Sequence, residues 1–309
     1  MVEFRGSVAH QKTLKAAIQC RGVGLHTGTR VNLVLHPAAP GNGIVFRRRD
    51  LGGIEIAAHW RNIVSSALCT TIGNDAGVKI ATIEHLMAAF AGLEIDNAIV
   101  ELDGPEVPVM DGSAAPFVFL IECAGIVEQV APRRGIKVLK PVRVGSNGNS
   151  ASLVPADSCR LSFAIDFASG AIRQQELSYD LGAENFKHEI SRARTFGFLD
   201  EVERMRQAGL ARGGSLENAV VISGDQVLNK EGLRYDDEFV RHKVLDALGD
   251  LYLAGGAILG HFHGVRSGHA LNHQLVETLF ADPSAWRPVT LAAADIAKDW
   301  DEEPQRARA

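Results

Sequence analysis

Apolar and polar positions alternate along the first part of the chain, and this alternation predicts strands that are separated by turns. Residues 29–36 (T-R-V-N-L-V-L-H) place apolar side chains on one face and polar side chains on the other, as in a half-buried strand. Residues 22–28 and 37–43 contain the glycines and prolines that are typical of turns. Residues 95–102 predict a further strand.

A helical pattern replaces the alternation in two segments of the same half. Residues 83–91 form an apolar helical stretch, for which Thr82 is the expected N-cap and Gly92 the end. Residues 111–113 (D-G-S) precede a second predicted helix over 114–124. This half therefore combines strands with two helices.

The second half repeats this mixture after a polar and basic segment, 130–137, which is the expected linker. Strands are predicted over 138–144, 151–154 and 161–167. Two helices follow, an amphipathic one over 239–253 and a last one over 269–280. The charged segment 299–309 is expected to be disordered.

Each half contains a helix with a histidine near its start, which indicates an internal repeat. The two segments are E-H-L-M-A-A-F-A-G at 84–92 and R-H-K-V-L-D-A-L-G at 241–249. In both halves a strand, a turn of small residues and another helix follow. We therefore predict an α+β fold of two similar domains, 1–130 and 131–298, each a β-sheet with two helices. If the helical faces pack together, His85 and His242 meet at the domain seam.

Composition and charge argue against several classes of protein. The formal net charge is −5, which argues against general binding of nucleic acid. No stretch approaches the roughly 20 apolar residues of a membrane span, so no integral membrane association is expected. The four cysteines form no C-x-x-C pair, which favours a reducing cytoplasm over a disulfide framework. With eleven histidines in the chain, imidazole and carboxylate groups are the expected metal ligands.

His242 and Asp246 are the first candidate ligands, because residues four apart on a helix project from the same face. A hydrolytic zinc takes three protein ligands and leaves a fourth position for water. His85, which follows Glu84, is the best third candidate. Asp250 lies one turn further along the same apolar helix, where an unpartnered charge is unfavourable. Periodicity alone leaves a surface hydrogen-bonded pair and an acidic first helical turn as open alternatives.

Several longer motifs occur in a fixed order along nearly the whole chain. They are G-V-G-L-H-T-G at 22–28, T-I-E-H-L-M-A-A-F-A-G at 82–92, S-R-A-R-T-F-G-F at 191–198, G-G-S-L-E-N-A-V-V at 213–221, R-H-K-V-L-D-A-L-G-D-L at 241–251 and S-G-H-A-L-N-H at 267–273. In sequence and spacing the chain resembles the UDP-3-O-acyl-N-acetylglucosamine deacetylases. That family performs the committed step of lipid A synthesis in Gram-negative bacteria.

The resemblance implies a zinc site formed by His85, His242 and Asp246, a ligand set that would also accept Fe²⁺. It also implies that the helices of two α+β domains are sandwiched between the sheets, with the active site at the seam. Each domain carries an insert, and the one at about 193–220 would shape a hydrophobic passage for the acyl chain.

The same resemblance implies roles in catalysis for five residues. Glu84 would be the general base, and protonated His269 would stabilise the oxyanion and pass a proton to the amine. Asp250 would orient His269, and the Thr195 hydroxyl would donate to the oxyanion. Lys243 would bind substrate near the diphosphate, although its helical position turns it roughly 100° away from the preceding ligand.

Substrate contacts are implied for a further set of residues. Phe196 and Phe198 would form walls of the acyl passage, and Leu25, Asp166 and Phe167 are assigned to the substrate as well. Four residues stay unassigned, namely His26, Cys69, His261 and His263.

The expected function is the hydrolytic removal of the N-acetyl group from UDP-3-O-(3-hydroxyacyl)-N-acetylglucosamine by a cytoplasmic, monomeric enzyme. One alternative is a zinc amidohydrolase of the same fold that acts on another acylated amino sugar and does not need the apolar insert. Another is a non-catalytic sugar-nucleotide binding protein, which is expected to lack Glu84 or His269. Both residues are present.

Overall fold

The computed structural model describes residues 8–292, which form strands, helices and the loops between them. The predicted disordered segment 299–309 lies outside these residues. The strands of the first half are β1 (His10–Leu14), β2 (Ile18–Val23), β3 (Arg30–Pro37), β4 (Ile44–Arg48), β5 (Ile54–Ala57), β6 (Ile63–Ser65), β7 (Thr71–Gly73), β8 (Lys79–Ile80), β9 (Ala98–Leu102) and β10 (Ile126–Pro132). Its helices are α1 (Glu84–Gly92) and α2 (Ala115–Ala124), with 3-10 turns at Arg49–Leu51 and Trp60–Asn62.

The second half has more strands and a longer central helix. Its strands are β11 (Arg134–Val138), β12 (Val142–Ser146), β13 (Asn149–Val154), β14 (Cys159–Asp166), β15 (Gln174–Asp180), β16 (Phe196–Phe198), β17 (Val220–Ser223), β18 (Gln226–Val227), β19 (Ala257–Val265) and β20 (Trp286–Thr290). Its helices are α3 (Ala183–Asn185), which continues as a π turn over Phe186–Ile190, α4 (Leu199–Gln207), α5 (Glu238–Tyr252) and α6 (His269–Ala281).

The two halves repeat one sheet topology, which confirms the predicted α+β fold of two similar domains. In the first half the order is β2-β3-β9-β4-β5, with β9 antiparallel to β3 and parallel to β4. In the second half β12-β13-β19-β14-β15 has the same order and directions. The central strand of each sheet joins two helices, α1 and α2 or α5 and α6. The beginning of β19 also pairs with β11, which extends the second sheet to β20.

Helix α1 is the centre of the packing between the halves. All nine of its residues are buried, and it contacts α5 of the second half along its length. The two backbones come so close at Gly249 that a Cβ there would lie 2.1 Å from the carbonyl oxygen of Glu84. Glycine is therefore required at this position, and the close approach places the start of α1 beside the polar face of α5.

Each half also carries a small three-stranded sheet outside the repeated unit. In the first half it is formed by β6, β7 and β8, and in the second by β16, β17 and β18 together with the short helix α4. The second of these sheets begins within the region predicted as an insert, about 193–220, and its strands β17 and β18 extend the region beyond the predicted end. The domain boundary predicted at residue 130 stays a prediction.

Three local expectations are wrong. Thr82 is not the N-cap of α1; it is buried with a φ of 57°, and its hydroxyl donates to Glu106. The expected strand 138–144 is interrupted between β11 and β12 at Pro141, which has no N–H for a sheet ladder. The expected linker 130–137 is strand on both sides of Arg133, where the chain passes from the sheet pairing of β10 to that of β11.

Within residues 8–292, no helix has both the length and the apolar character needed to cross a membrane.

Candidate active site

Three side chains from the two halves converge at the seam between α1 and α5. The Nε2 atom of His242 lies 3.3 Å from Oδ1 of Asp246, and the Nε2 atom of His85 lies 3.6 Å from the same oxygen. All three residues are buried. The structure therefore brings together the three residues predicted as metal ligands.

The spacing and the hydrogen bonding of this group fit a bound cation. Ligand atoms about 2.1 Å from a tetrahedral zinc are roughly 3.4 Å apart, which matches both distances. Oδ1 of Asp246 is buried and has no hydrogen-bond partner, although a buried carboxylate oxygen normally has one. The Nδ1–H of His242 donates to the carbonyl of Ala193 over 3.0 Å, which leaves Nε2 free to act as a ligand.

The pKa values of His242 and Asp246 favour the protonation states that can bind a metal. Burial lowers the pKa of His242 to about 4, so the imidazole is neutral at pH 7. Burial alone would raise the pKa of Asp246, but the neighbouring His242 and Lys243 hold it well below its ordinary value. A neutral imidazole and an ionised carboxylate are the protonation states that metal ligands require.

Glu84 lies at the first position of α1, next to the ligand group. One carboxylate oxygen, Oε2, accepts the backbone N–H of Thr70 over 3.0 Å. The other, Oε1, lies 3.8 Å from Nε2 of His269. Burial raises the pKa of Glu84 to about 8, although the nearby His269 opposes that shift. Glu84 therefore lies beside His269 with a pKa above that of an ordinary carboxyl group, as is typical of residues that exchange protons in active sites.

His269 begins α6 and is held by Asp250 of α5. Its Nδ1–H donates to Oδ2 of Asp250 over 2.8 Å. Burial alone would lower the pKa of His269, but the charge and hydrogen bond of Asp250 raise it to about 10. The same interaction holds the pKa of Asp250 below its ordinary value in spite of its burial. His269 is therefore an imidazolium that directs Nε2 toward Glu84.

Lys243 does not turn away from the ligands as its helical position predicts. Its Nζ donates to Oδ2 of Asp246 over 3.0 Å and lies 5.6 Å from the centre of the Phe196 ring. Phe196 in turn contacts the edge of His242, with ring centres 6.3 Å apart. The long side chain bends back over one turn of α5, and this bending explains the difference.

A cavity of about 240 Å³ opens beside these residues, between the loop at 22–28 and the second-half insert. Its walls include Leu25, Thr195 and Phe196, all three predicted to contact substrate, and are largely apolar. The cavity is also lined by apolar residues of α4 and of the segment 211–228, namely Leu199, Val202, Met205, Ala211, Leu216, Ala219, Val221 and Leu228. It has the character of a binding site for an apolar chain.

The segment carrying Thr195 is fixed by backbone contacts and by a buried ion pair. The N–H of Thr195 donates to the carbonyl of Gly112 over 2.8 Å. At Gly112, with a φ of 83°, a Cβ would lie 2.0 Å from the carbonyl oxygen of Asn218. Arg194 pairs with Glu238 over 2.8 Å, and both side chains are buried. The wall of the cavity is therefore anchored to the start of α5.

Other predicted residues lie outside this group. The ring of Phe198 is absent from the cavity wall and packs on Phe167 at 5.9 Å. Asp166 forms an exposed ion pair with Arg266. His261 and His263, left unassigned, lie with ring centres 3.7 Å apart, on the face of β19 opposite to the buried Phe262.

The two other unassigned residues lie closer to the site. His26 lines the cavity, and both of its ring nitrogens are buried without a hydrogen-bond partner. Cys69 is buried, and its thiol contacts the hydroxyl of Thr71 at 3.7 Å.

Sequence reasoning missed three polar residues that surround Asp250. Asn272 donates to Oδ2 of Asp250 over 2.9 Å, and the Thr70 hydroxyl lies 2.5 Å from Oδ1. His273 lies 3.4 Å from the same oxygen. The spacing of His269 and His273 on α6 was an available signal, whereas nothing in the local sequence marks Thr70.

Comparison with known proteins identifies the family of this chain. Residues 11–281 match the family model described as UDP-3-O-acyl N-acetylglycosamine deacetylase. Proteins named UDP-3-O-acyl-N-acetylglucosamine deacetylase are similar along most of their length. The one from Myxococcus xanthus is 52% identical over 93% of this chain and 91% of its own, and the one from Nitrosococcus oceani is 53% identical over 93% and 95%. This chain belongs to the UDP-3-O-acyl N-acetylglycosamine deacetylase family.

Proposed function

We propose that this protein hydrolyses the N-acetyl group of UDP-3-O-(3-hydroxyacyl)-N-acetylglucosamine, releasing acetate and a free amine, in the committed step of lipid A synthesis. The observation that carries the proposal is the convergence of His85, His242 and Asp246 beside Glu84 and His269. Family membership supplies the substrate class. The four cysteines are free, which supports the cytoplasm as the compartment.

The proposed cofactor is Zn²⁺, held by His85, His242 and Asp246. Two imidazoles and one carboxylate are a common ligand set of catalytic zinc, and Fe²⁺ would fit the same set. When bound, such a cation lowers the pKa of a coordinated water to about 7 and polarises the amide carbonyl.

Glu84 is the proposed general base. Its carboxylate accepts a proton from the attacking water, and the Thr70 N–H that binds Oε2 fixes its orientation. A positioned base of this kind contributes about 10²–10⁴-fold to the rate. The amide carbon then carries two oxygens and the nitrogen, and breaking the C–N bond requires a proton on that nitrogen.

His269 is the proposed proton donor. As an imidazolium held by Asp250 it stabilises the negative oxygen of the tetrahedral intermediate. It then gives its Nε2 proton to the departing amine. The hydroxyl of Thr195, on the cavity wall, is the proposed second donor to that oxygen.

The cavity between Leu25 and α4 is the proposed site of the acyl chain. Burial of each methylene in such an apolar site contributes about 0.8 kcal/mol. Lys243 is the proposed contact to the diphosphate, and Phe196 forms the wall between the metal ligands and the chain. Phe167, Phe198 and Asp166 are proposed for the outer contacts to the substrate. Because all these groups belong to one chain, we propose that the enzyme acts as a monomer.

A comparison of two substrates tests the proposal. The purified enzyme is assayed for acetate release from UDP-3-O-acyl-N-acetylglucosamine and from UDP-N-acetylglucosamine, which lacks the acyl chain. We expect kcat/KM to be at least about 100-fold higher for the acylated substrate, because the cavity contributes binding only to the chain. Equal turnover of the two compounds, or none of the acylated one, would contradict the proposed function.

A further inference from the structure

The hydroxyl of Thr70 occupies the centre of a buried polar cluster that joins the two halves of the protein. Thr70 precedes β7 of the first half and is 0% exposed. Its Oγ1 lies 2.5 Å from Oδ1 of Asp250, 2.8 Å from Nε2 of His273 and 3.3 Å from Nδ1 of His269. These three partners belong to α5 and α6 of the second half.

Counting the protons assigns a direction to each hydrogen bond. An ionised Asp250 accepts only, so the single hydroxyl proton of Thr70 is donated to its Oδ1. The Nδ1–H of His269 is already donated to Oδ2. The remaining close contact, from His273 to the Thr70 oxygen, must then be donated by Nε2–H. Thr70 therefore also fixes the tautomer of His273.

The backbone of Thr70 contacts Glu84, the proposed general base. Its N–H donates to Oε2 of Glu84 over 3.0 Å. One residue thus binds the carboxylate of Glu84 with its backbone and the carboxylate of Asp250 with its side chain. Because Asp250 orients His269, Thr70 links the position of the proposed base, Glu84, to that of the proposed acid, His269, across the seam between the two halves.

Asp250, His269 and His273 also satisfy the spacing of a metal site. The Thr70 hydroxyl, however, is within hydrogen-bond distance of all three residues. By contrast, Oδ1 of Asp246 in the ligand group lacks any hydrogen-bond partner. The carboxylate oxygens of Asp250 and the Thr70 hydroxyl all have hydrogen-bond partners, and among the buried polar atoms of the cluster only Nδ1 of His273, on the far side of its ring from Thr70, has none. The group around Asp246, in which a ligand oxygen itself lacks a partner, is therefore the one that fits a cation.

We propose that Thr70 is a positioning residue of the deacetylase, whose hydroxyl holds Asp250 so that His269 faces Glu84. This role rests on the proposed function, because it acts through Asp250 and His269. Loss of the hydroxyl removes the short hydrogen bond to Oδ1 of Asp250, and it leaves the Nε2–H of His273 only the longer contact of 3.4 Å to that same oxygen. The binding of substrate and of metal does not depend on it.

The test compares Thr70→Val, Thr70→Ser and Thr70→Ala in the metal-containing enzyme. Val keeps the shape and removes the hydroxyl, while Ser and Ala lack the same methyl group and differ only in the hydroxyl. We expect Val and Ala to lower kcat by about 10–100-fold, as the loss of an orienting partner does, with KM and metal content unchanged. Ser is expected to keep kcat within about threefold of wild type. If the Val variant does not fold, the difference in kcat between the Ser and Ala variants still measures the effect of the hydroxyl.

Thr71→Val is the matched control. Thr71 is the neighbouring buried threonine, and its hydroxyl makes a contact of 3.7 Å with the thiol of Cys69. This variant should therefore keep the kcat of wild type.

A double variant tests whether Thr70 acts through Asp250. In an Asp250→Asn background, Thr70→Val should change kcat by less than about threefold, because the effects of two residues that act through the same contact do not add. Wild-type kcat in Thr70→Val, equal loss in Ser and Ala, or full additivity with Asp250→Asn would overturn the role of Thr70. An inactive wild type would instead overturn the proposed function.

Discussion

The imidazole rings of His85 and His242 meet edge to face at the domain seam, with ring centres 5.0 Å apart and planes at 81°. One ring belongs to α1 and the other to α5, the corresponding helices of the two repeated halves. The same two helices approach each other closely at Gly249, where a Cβ would meet the backbone of Glu84. The ligand group is therefore a product of domain packing, and we expect neither half alone to hold the metal.

Removal of a ligand should remove the metal. In His85→Ala, two of three proposed ligands remain, and we expect the zinc content after dialysis to fall to a small fraction of one equivalent. His263→Ala is the control, because His263 lies on the outer face of β19 and contacts His261. Metal content is measured by plasma emission spectrometry. Full retention of zinc in His85→Ala would exclude His85 as a ligand.

The protonation of His269 should depend on Asp250. The carboxylate raises the pKa of His269 above its ordinary value, so its removal in Asp250→Asn should lower that pKa by at least about one unit. Deprotonation then occurs at lower pH, and the alkaline limb of the rate profile moves in the same direction. The titration is followed by ¹⁵N NMR of the imidazole. An unchanged titration curve of His269 would show that Asp250 does not stabilise the protonated imidazole.

The width of the cavity should select the acyl chain. Val202 lines it from α4, and Val202→Phe adds a ring to the wall. We expect kcat/KM for a long acyl chain to fall by about 10–100-fold, because each excluded methylene removes about 0.8 kcal/mol of binding. Activity on a short acyl chain should change much less. Glu203→Phe, at an exposed position of the same helix, should leave the ratio of the two activities unchanged.

The buried pair of Arg194 and Glu238 should stabilise the insert. Arg194→Met leaves the carboxylate of Glu238 buried without its partner, which costs about 3–5 kcal/mol of unfolding free energy. The double variant with Glu238→Met removes the orphaned charge and should recover a large part of that loss. Chemical denaturation measures both values. A single variant as stable as wild type would show that the pair does not matter to the fold.

The sequence predicts well those features that depend on local periodicity. Helix α5 begins and ends one residue earlier than the predicted helix over 239–253. Helix α6 begins where it was predicted to begin and ends one residue later. Spacing on α5 alone places His242 and Asp246 together, and the repeat accounts for His85. The interruption at Pro141 was missed because the apolar residues on both sides continue the strand pattern.

Features that depend on contacts between distant residues could not be predicted in this way. Thr82 has the residue type of an N-cap, but Glu106 competes successfully for its hydroxyl. Thr70 lies in a short strand-like segment, and its partners Asp250 and His273 are far away in sequence. The return of Lys243 toward Asp246 depends on its rotamer, which periodicity does not report.

The role of Glu84 beside a bound metal is tested most directly by measuring zinc content and deacetylation in the same samples of wild type and Glu84→Ala. Glu84 is not a ligand, so the variant should keep the zinc content of wild type. Its kcat should fall by about 10²–10⁴-fold, because the attacking water loses its base. A variant that keeps its metal and full activity, or a wild type that turns over the substrate without metal, would contradict the account.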